Sequence, residues 1–323
     1  MATDSKATKT LSKRGDVILH VGEGQETEYQ LLVSSVLLSH VSPVFEAMFD
    51  GRFAEGQVLS TASPGVISLP DDDAESTYTV CRIIHAQTAD LSATATPTEL
   101  ANIAMFCNKY DCVDPVRSWG IIWVAHILKT PNEADFEKTL LAAYLLDLAP
   151  EFQEVSRSLI RDRSELLSSK TLSNGDDLIP KRLVELIIHE QQEIRKRVLE
   201  AVGSIVPETG TMCDPFQLST FNFLRELRKA GLWPLCVLPV AECKRALKNI
   251  PKQDPRSDKF CKRTYCLCHN GLRTGTQSLD KQVKDIYESA GSFCLDCVKR
   301  EEKAAGNRPI CRIPCFGNNL KYD

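Results

Sequence analysis

The sequence has no hydrophobic run long enough to cross a bilayer. Its longest near-apolar stretch is nine residues, Gly120 to Leu128, and contains His126, whereas a transmembrane helix needs about 20 apolar residues. The N-terminal stretch MATDSKATKTLSKRG also lacks the apolar centre of a signal peptide. We therefore expect a protein of the cytoplasm, the nucleus or both, with no membrane partner.

Motifs of the common enzyme classes are missing as well. The chain has no G-x-S-x-G elbow and no P-loop, and Gly22-Glu23-Gly24 lacks the third glycine of a dinucleotide fingerprint. His189-Glu190 begins like a HExxH zinc motif, but Glu193 stands where the second histidine is required. The sequence therefore indicates a binding protein and no enzyme.

Composition is that of a folded intracellular protein with more than one domain. The 323 residues include 43% hydrophobic and 25% charged side chains, and domains usually take about 100 to 200 residues. In the absence of a secretion signal, the thirteen cysteines should face a reducing compartment. Metal binding or simple burial is then favoured over disulfides.

The N-terminal part mixes short strands with helices. Three β-rich runs lie at Val17 to Val21, at 28–33 and at Val66 to Leu69. Helix start signals stand at Ser42-Pro43, at Asp72 with Glu75, and at Thr96-Pro97 with Glu99. A few strands among helices, with no βαβ repeat, predict an α+β fold.

The remainder of the chain is predicted to be helical and then irregular. After Pro131 the helical patterns cover Glu137 to Leu148, Glu151 to Ile160, Pro180 to Val202, and Ser219 to Ala230 with Gly231 as its C-cap. We therefore divide the chain into residues 13–128, a helical extension at 129–250, and an irregular cysteine-rich tail at 251–323. The fold class is α+β and mostly helical.

Four motifs stand out in the first domain: GDVILHV at 15–21, VSSVLLSHVSPVFEAMF at 33–49, ISLPDDD at 67–73 and NKYDC at 108–112, with Trp119 beyond. Together they resemble the motifs of the BTB/POZ family, and of its fungal branch in particular. The resemblance implies a three-stranded sheet packed on helices, used for protein binding and, in many members, for homodimerisation. Members that exchange an N-terminal strand carry apolar residues where residues 1–14 here are polar, so a monomer stays open.

The resemblance also implies where partners bind. Some members recruit cullin scaffolds through a hydrophobic-x-Glu motif, which Phe53-Ala54-Glu55 matches. The alternative is that Phe53 packs on its own domain and Glu55 is solvated. Many animal members build a charged pocket at the position of Asp16 with a histidine and a basic residue, whereas this chain has Ser34-Ser35. The expected function is an adaptor, with a cullin-type ubiquitin ligase as its leading partner.

The tail carries cysteines at zinc-like spacings. Its candidate ligands are Cys261, Cys266, Cys268, His269, Cys294, Cys297, Cys311 and Cys315. Zinc takes four such ligands, so two sites could be filled, and a metal would help about 70 residues with a thin core to hold their shape. The preferred set is Cys261, Cys266, Cys294 and Cys297, with Cys268 or His269 as rivals. The alternative is reduced cysteines without metal.

A second function stays open at this point. Eight lysines and arginines lie between Lys244 and Arg263, against Asp254 and Asp258. A basic segment with cysteines beside a BTB-like domain is typical of transcription factors, which makes nucleic acid the alternative partner. The spacing lacks the Cys-Cys-His-His finger pattern, however, and the net charge of −4 gives no global attraction to phosphates.

Overall fold

The computed structural model describes residues 8–50, 59–129, 136–163, 178–204, 214–231, 240–249, 271–302 and 311–313. The strands are β1 Lys9–Thr10, β2 Val17–Val21, β3 Tyr29–Val33 and β4 Gly65–Leu69. The helices are α1 Ser35–Val41, α2 Pro43–Phe49, α3 Ala74–Ile84, α4 Pro97–Lys109, α5 Arg117–Ile127, α6 Phe136–Leu145, α7 Ala149–Asp162, α8 Lys181–Gly203, α9 Asp214–Lys229, α10 Val240–Asn249, α11 Gly271–Glu288 and α12 Leu295–Glu302. The mostly helical α+β class is confirmed.

The described chain divides into two compact units. The first contains the described residues up to Val155 and those from Cys294 to 313, and the second contains those from Ser156 to Phe293. The predicted domain boundaries near 128 and 250 stay predictions. Within the described residues, no helix has both the length and the apolar character needed to cross a membrane.

The sheet of the first unit has the strand order β1-β3-β2-β4. β2 runs antiparallel to β3, with Val17 opposite Val33, and parallel to β4, with Val17 opposite Gly65. Alternate side chains of β2 are fully buried: Val17, Leu19 and Val21. This period of two is what one buried sheet face requires. The three predicted strands lie where the β-rich runs of the sequence placed them.

β1 is a fourth strand, so the prediction of a three-stranded sheet was wrong by one strand. β1 pairs in parallel with β3, with Lys9 opposite Leu31. Its two residues are too few and too polar to produce a strand pattern. The Lys9 ammonium lies 3.3 Å from the ring centroid of Tyr29 and 3.9 Å from that of Tyr78. Tertiary contacts of this cation–π type stabilise an edge strand that local sequence does not reveal.

The helical core of the first unit is built on aromatic side chains. Phe45 of α2 is fully buried and stacks on Tyr110 at a centroid distance of 4.5 Å and on Phe49 at 5.7 Å. The Ser42 hydroxyl accepts a hydrogen bond from the Phe45 amide at 3.0 Å and so caps α2, as predicted. The cap and the stack together orient α2 on the core.

Most of the described tail lies in the helices α11 and α12, so the prediction of an irregular tail was wrong for these two segments. α11 buries Leu279, Val283 and Ile286, which recur every three or four residues. α12 buries Leu295 and Val298 in the same way. This spacing gives each helix one apolar face. The many charged residues between these positions made the helical pattern hard to recognise in the sequence.

Candidate metal centre and partner-binding residues

Three cysteines meet at the N-terminus of α12. The sulfur atoms of Cys294, Cys297 and Cys311 all lie within 4.8 Å of one another. Cys297 Sγ and Cys311 Sγ are 3.6 Å apart. Cys294 is buried, whereas Cys297 and Cys311 are half-buried. All three are in the first unit, and none of the three forms a disulfide within the described residues.

The helix explains how the first two cysteines come together. Cys294 directly precedes α12, and the Val298 amide donates to the Cys294 carbonyl at 3.1 Å. Residues three apart on a helix share one side, so Cys294 and Cys297 point toward the same place. Leu295, which is fully buried, anchors the helix beneath them. Cys311 then reaches this pair from a separate segment.

The spacing of Cys297 and Cys311 fits a tetrahedral thiolate site, of which the three cysteines would supply three of the four ligands. A Zn–S bond of about 2.3 Å places two sulfurs of a tetrahedron about 3.8 Å apart, close to the 3.6 Å between Cys297 and Cys311. A disulfide would instead bring the two sulfurs to about 2.05 Å. Arg300 Nη2 lies 3.6 Å from Cys311 Sγ, which favours a thiolate there. The three cysteines can therefore hold a metal ion.

Charged side chains close in sequence to the cysteines bind one another and Asp147. Arg312 donates to the carboxylates of Asp147 and Asp296, and Lys299 also donates to Asp147. Burial alone would raise the pKa of Asp147, but the hydrogen bonds from Arg312 and Lys299 hold this pKa below its ordinary value. The same balance of burial and Arg312 lowers the pKa of Asp296. These carboxylates are therefore anions held by cations.

The structure does not place the other predicted ligands. Cys261, Cys266, Cys268, His269 and Cys315 lie outside the described residues. The preferred set joined Cys294 and Cys297 to Cys261 and Cys266, whereas the structure brings Cys311 to the Cys294–Cys297 pair.

Of the predicted partner-binding residues, Asp16 alone lies within the described residues. Phe53 and Glu55 lie outside the described residues. Asp16 is engaged within the chain, because its carboxylate accepts from the Ser35 amide at 2.8 Å and from the Ser35 hydroxyl at 2.6 Å. These bonds satisfy donors at the start of α1, where Ser34 makes no side-chain cap. A partner contact of Asp16 stays a prediction.

His85 also binds a backbone amide at the N-terminus of α1. Its lowered pKa predicts that the stability of the chain depends on pH. Its Nε2 accepts from the Ser34 amide at 2.9 Å, while Nδ1 faces the Cys81 carbonyl at 2.7 Å, so the bonded ring is neutral. Burial lowers the pKa of His85. The unfolded chain, with a histidine pKa of about 6.5, then takes up the proton first, so stability should fall as the pH drops below about 6.5.

We expect His85→Gln to reduce this loss, because glutamine does not titrate. Free energies of unfolding measured between about pH 7.5 and 5 should differ less and less between wild type and variant as the pH falls. His40→Gln, which removes an exposed histidine of α1, is the matched control. A constant difference across this range would show that His85 is not the titrating group.

Two of the motifs meet in a contact that the sequence did not predict. Asp72, which is buried, accepts from the Tyr110 hydroxyl at 2.6 Å and from Lys109 Nζ at 2.8 Å. Ser42 donates its hydroxyl to the Tyr110 carbonyl. Burial and the Asp72 hydrogen bond both raise the pKa of Tyr110. The tyrosine therefore stays a neutral donor to a buried carboxylate. Only the unusual run of three aspartates at 71–73 hinted at this role.

Comparison with known proteins adds no relative. A scan against protein-family models finds no family that matches the chain, and a search of curated proteins finds no matching protein.

Proposed function

We propose that the chain is a protein-interaction adaptor of the cytoplasm or nucleus, built on a BTB/POZ-like module at residues 13–128. The observation that carries this proposal is the contact between distant motifs. Asp72 of the LPDDD motif binds Tyr110 of the KYDC motif, and Tyr110 accepts in turn from Ser42 of the SPVF motif. Motifs that hydrogen-bond to one another support the resemblance more strongly than motifs scattered along a chain.

Exposed apolar side chains support a protein partner. Val36 and Leu37 of α1 are 72% and 42% exposed, and Val44 of α2 is 37% exposed. These three apolar residues lie within nine positions on two adjoining helices. Exposed apolar residues grouped in this way are typical of a binding surface. A second copy of the chain would compete for the same surface, and light scattering on the purified protein would reveal it.

The leading partner is a cullin scaffold, bound through Phe53 and Glu55. An aromatic anchor buried in a partner's pocket often contributes about 2 kcal/mol or more to binding. Phe53→Ala should therefore weaken cullin binding at least about tenfold, or about 1.4 kcal/mol, and leave the melting temperature nearly unchanged. Calorimetry with a cullin N-terminal fragment measures the first quantity, and a thermal scan measures the second.

The matched control is Phe221→Ala, because Phe221 is 64% exposed on α9 in the second unit. This variant should bind the cullin fragment as wild type does. A wild type that does not bind the fragment, together with a Phe53→Ala variant that loses stability, would mean that Phe53 belongs to the core. A gel shift that weakens steeply with salt would favour nucleic acid as the partner instead.

We further propose that zinc is the ion held by Cys294, Cys297 and Cys311. Thiolates are soft ligands, and sulfur-rich tetrahedral sites are typical of structural zinc. The chemistry that zinc supplies there is cross-linking: it joins α12 to the segment at Cys311 without redox change. The three cysteines would bind the ion, and the buried Leu295 and Val298 hold α12 in place.

A further inference from the structure

Asp147 is the point at which the cysteine-bearing segments are fastened to the helices of the first unit. It lies in the turn between α6 and α7 and has a positive φ of 58°. Its Oδ2 accepts from Arg312 Nη1 at 2.6 Å, and its Oδ1 accepts from Arg312 Nη2 at 3.0 Å and from Lys299 Nζ at 2.9 Å. One carboxylate thus holds one residue of α12 and one residue next to Cys311.

Arg312 also links the two cysteine-bearing segments directly. Its backbone amide and its Nε each donate to the Asp296 carboxylate at 2.8 Å. Asp296 lies between Cys294 and Cys297, and Arg312 follows Cys311. The guanidinium therefore joins, through ionic hydrogen bonds, the same two pieces of chain that a metal would join through sulfur. Asp147, Asp296, Lys299 and Arg312 are called the Asp147 network below.

The turn beneath this network belongs to the core. Leu146 is fully buried and Leu148 is 2% exposed. The Leu148 amide donates to the Ala143 carbonyl at 3.0 Å. Both leucines lie against Gly120 of α5, where an added Cβ would come within 2.9 Å of Leu146 Cδ1 and 3.1 Å of Leu148 Cδ1. Asp147 is therefore attached to a closely packed part of the core.

We propose that the three cysteines and the Asp147 network form one metal-dependent latch, which closes the segments at 294–302 and 311–313 on the turn after α6. The inference depends on the proposed zinc site. Metal at Cys311 fixes the backbone from which Arg312 reaches Asp147, and Arg312 bound to Asp147 and Asp296 holds Cys311 beside the other two thiols. Each of these two interactions restrains the two segments, so less conformational entropy is lost when the other interaction forms.

Coupling of this kind is reciprocal. If the Asp147 network strengthens zinc binding by some factor, zinc strengthens the network by the same factor. The side chains of Asp147 and Asp296 are 27% and 17% exposed, so their bonds are better shielded than an ordinary surface ion pair. Residues that orient metal ligands typically change metal affinity by about 10-fold to 100-fold when they are replaced.

The first test is the zinc affinity of the full-length chain, measured by competition with a chelator. Asp147→Asn keeps the size of the side chain but removes the anion that binds Lys299 and Arg312, and leaves Arg312 with Asp296 alone. Zinc should therefore bind at least about tenfold more weakly. The matched control is Asp90→Asn, which removes an exposed aspartate paired with Arg82 elsewhere in the first unit. The control should keep wild-type zinc affinity.

Arg312→Gln tests the latch from its other side and covers the case in which Asp147→Asn does not fold. It should weaken zinc binding by a similar factor. The loss of zinc affinity in the double variant should be smaller than the sum of the two single losses, because both substitutions remove the same Arg312–Asp147 interaction. Fully additive losses, or affinities within about twofold of wild type in both single variants, would overturn the latch.

Hydrogen exchange measures the reverse coupling. Removal of zinc from wild type should accelerate exchange of the Leu148 amide and its neighbours in the turn after α6, whereas in Asp147→Asn the exchange of this turn should not depend on zinc. Protection that zinc leaves unchanged in wild type would overturn the latch while the zinc site stands. A folded wild type that binds no zinc would overturn the site and the latch together, without bearing on the adaptor function.

Discussion

Cys297→Ser should reduce the zinc affinity of the chain by more than about 100-fold, or about 2.7 kcal/mol. Serine is a hard and weakly acidic ligand, so it cannot replace the thiolate that lies 3.6 Å from Cys311 Sγ. Structural zinc sites contribute about 10 kcal/mol or more of apparent binding free energy, which leaves room for so large a loss. Elemental analysis of wild type should find about one or two zinc ions per chain.

The control is Cys213→Ser, since Cys213 lies outside the cysteine-rich tail. It should retain the zinc content and affinity of wild type. Zinc below about 0.3 per chain after metal-replete expression, in a protein whose tail is folded, would favour plain reduced cysteines over a metal site. Equal zinc affinity in wild type and Cys297→Ser would likewise remove Cys297 from the ligand set.

Phe45→Ala should lower the free energy of unfolding of the first unit by about 3 to 5 kcal/mol. Phe45 is fully buried, and its ring stacks on Tyr110 at 4.5 Å with the two planes 1° apart. Alanine would remove this ring, and close packing of the surrounding aromatic side chains limits how far the core can collapse into the space. Denaturant unfolding followed by tyrosine and tryptophan fluorescence measures the change.

Val44→Ala is the matched control, because Val44 precedes Phe45 on α2 but is 37% exposed. The control should change the free energy of unfolding by about 0.5 kcal/mol or less. A loss below about 1 kcal/mol in Phe45→Ala would mean that the aromatic stack does not stabilise the unit. The pair therefore separates the part of the SPVFEAMF motif that folds the chain from the part available to partners.

Local signals in the sequence located most of the helices and strands. Thr96 and Glu99 form the predicted capping box, in which each side chain binds the other's backbone amide. Gly231 has the positive φ of 74° expected of a glycine after a helix. Such signals can be read from sequence because the residues that interact are neighbours along the chain.

Competition from distant residues explains the cap that was predicted wrongly. Asp72 was expected to cap α3, but Asp73 performs that function by accepting from the Ser76 amide at 2.9 Å. Asp72 is instead bound by Tyr110, 38 residues away in sequence. A buried carboxylate must find strong donors, and a tyrosine hydroxyl with a lysine satisfies it better than one helix terminus. No local pattern reveals that choice.

The amino-acid sequence by itself determined the mostly helical α+β class, the position of three strands and of most helices, and the presence of candidate metal ligands in the tail. Only the tertiary structure decided that Cys311 joins Cys294 and Cys297, and that Asp147, which lies some 150 residues earlier, binds Lys299 and Arg312. Periodicity and caps express interactions within one or two turns of chain. Ion pairs and metal ligands depend on where separate segments meet, and that position is set by the packing of buried side chains such as Leu146, Leu148 and Leu295.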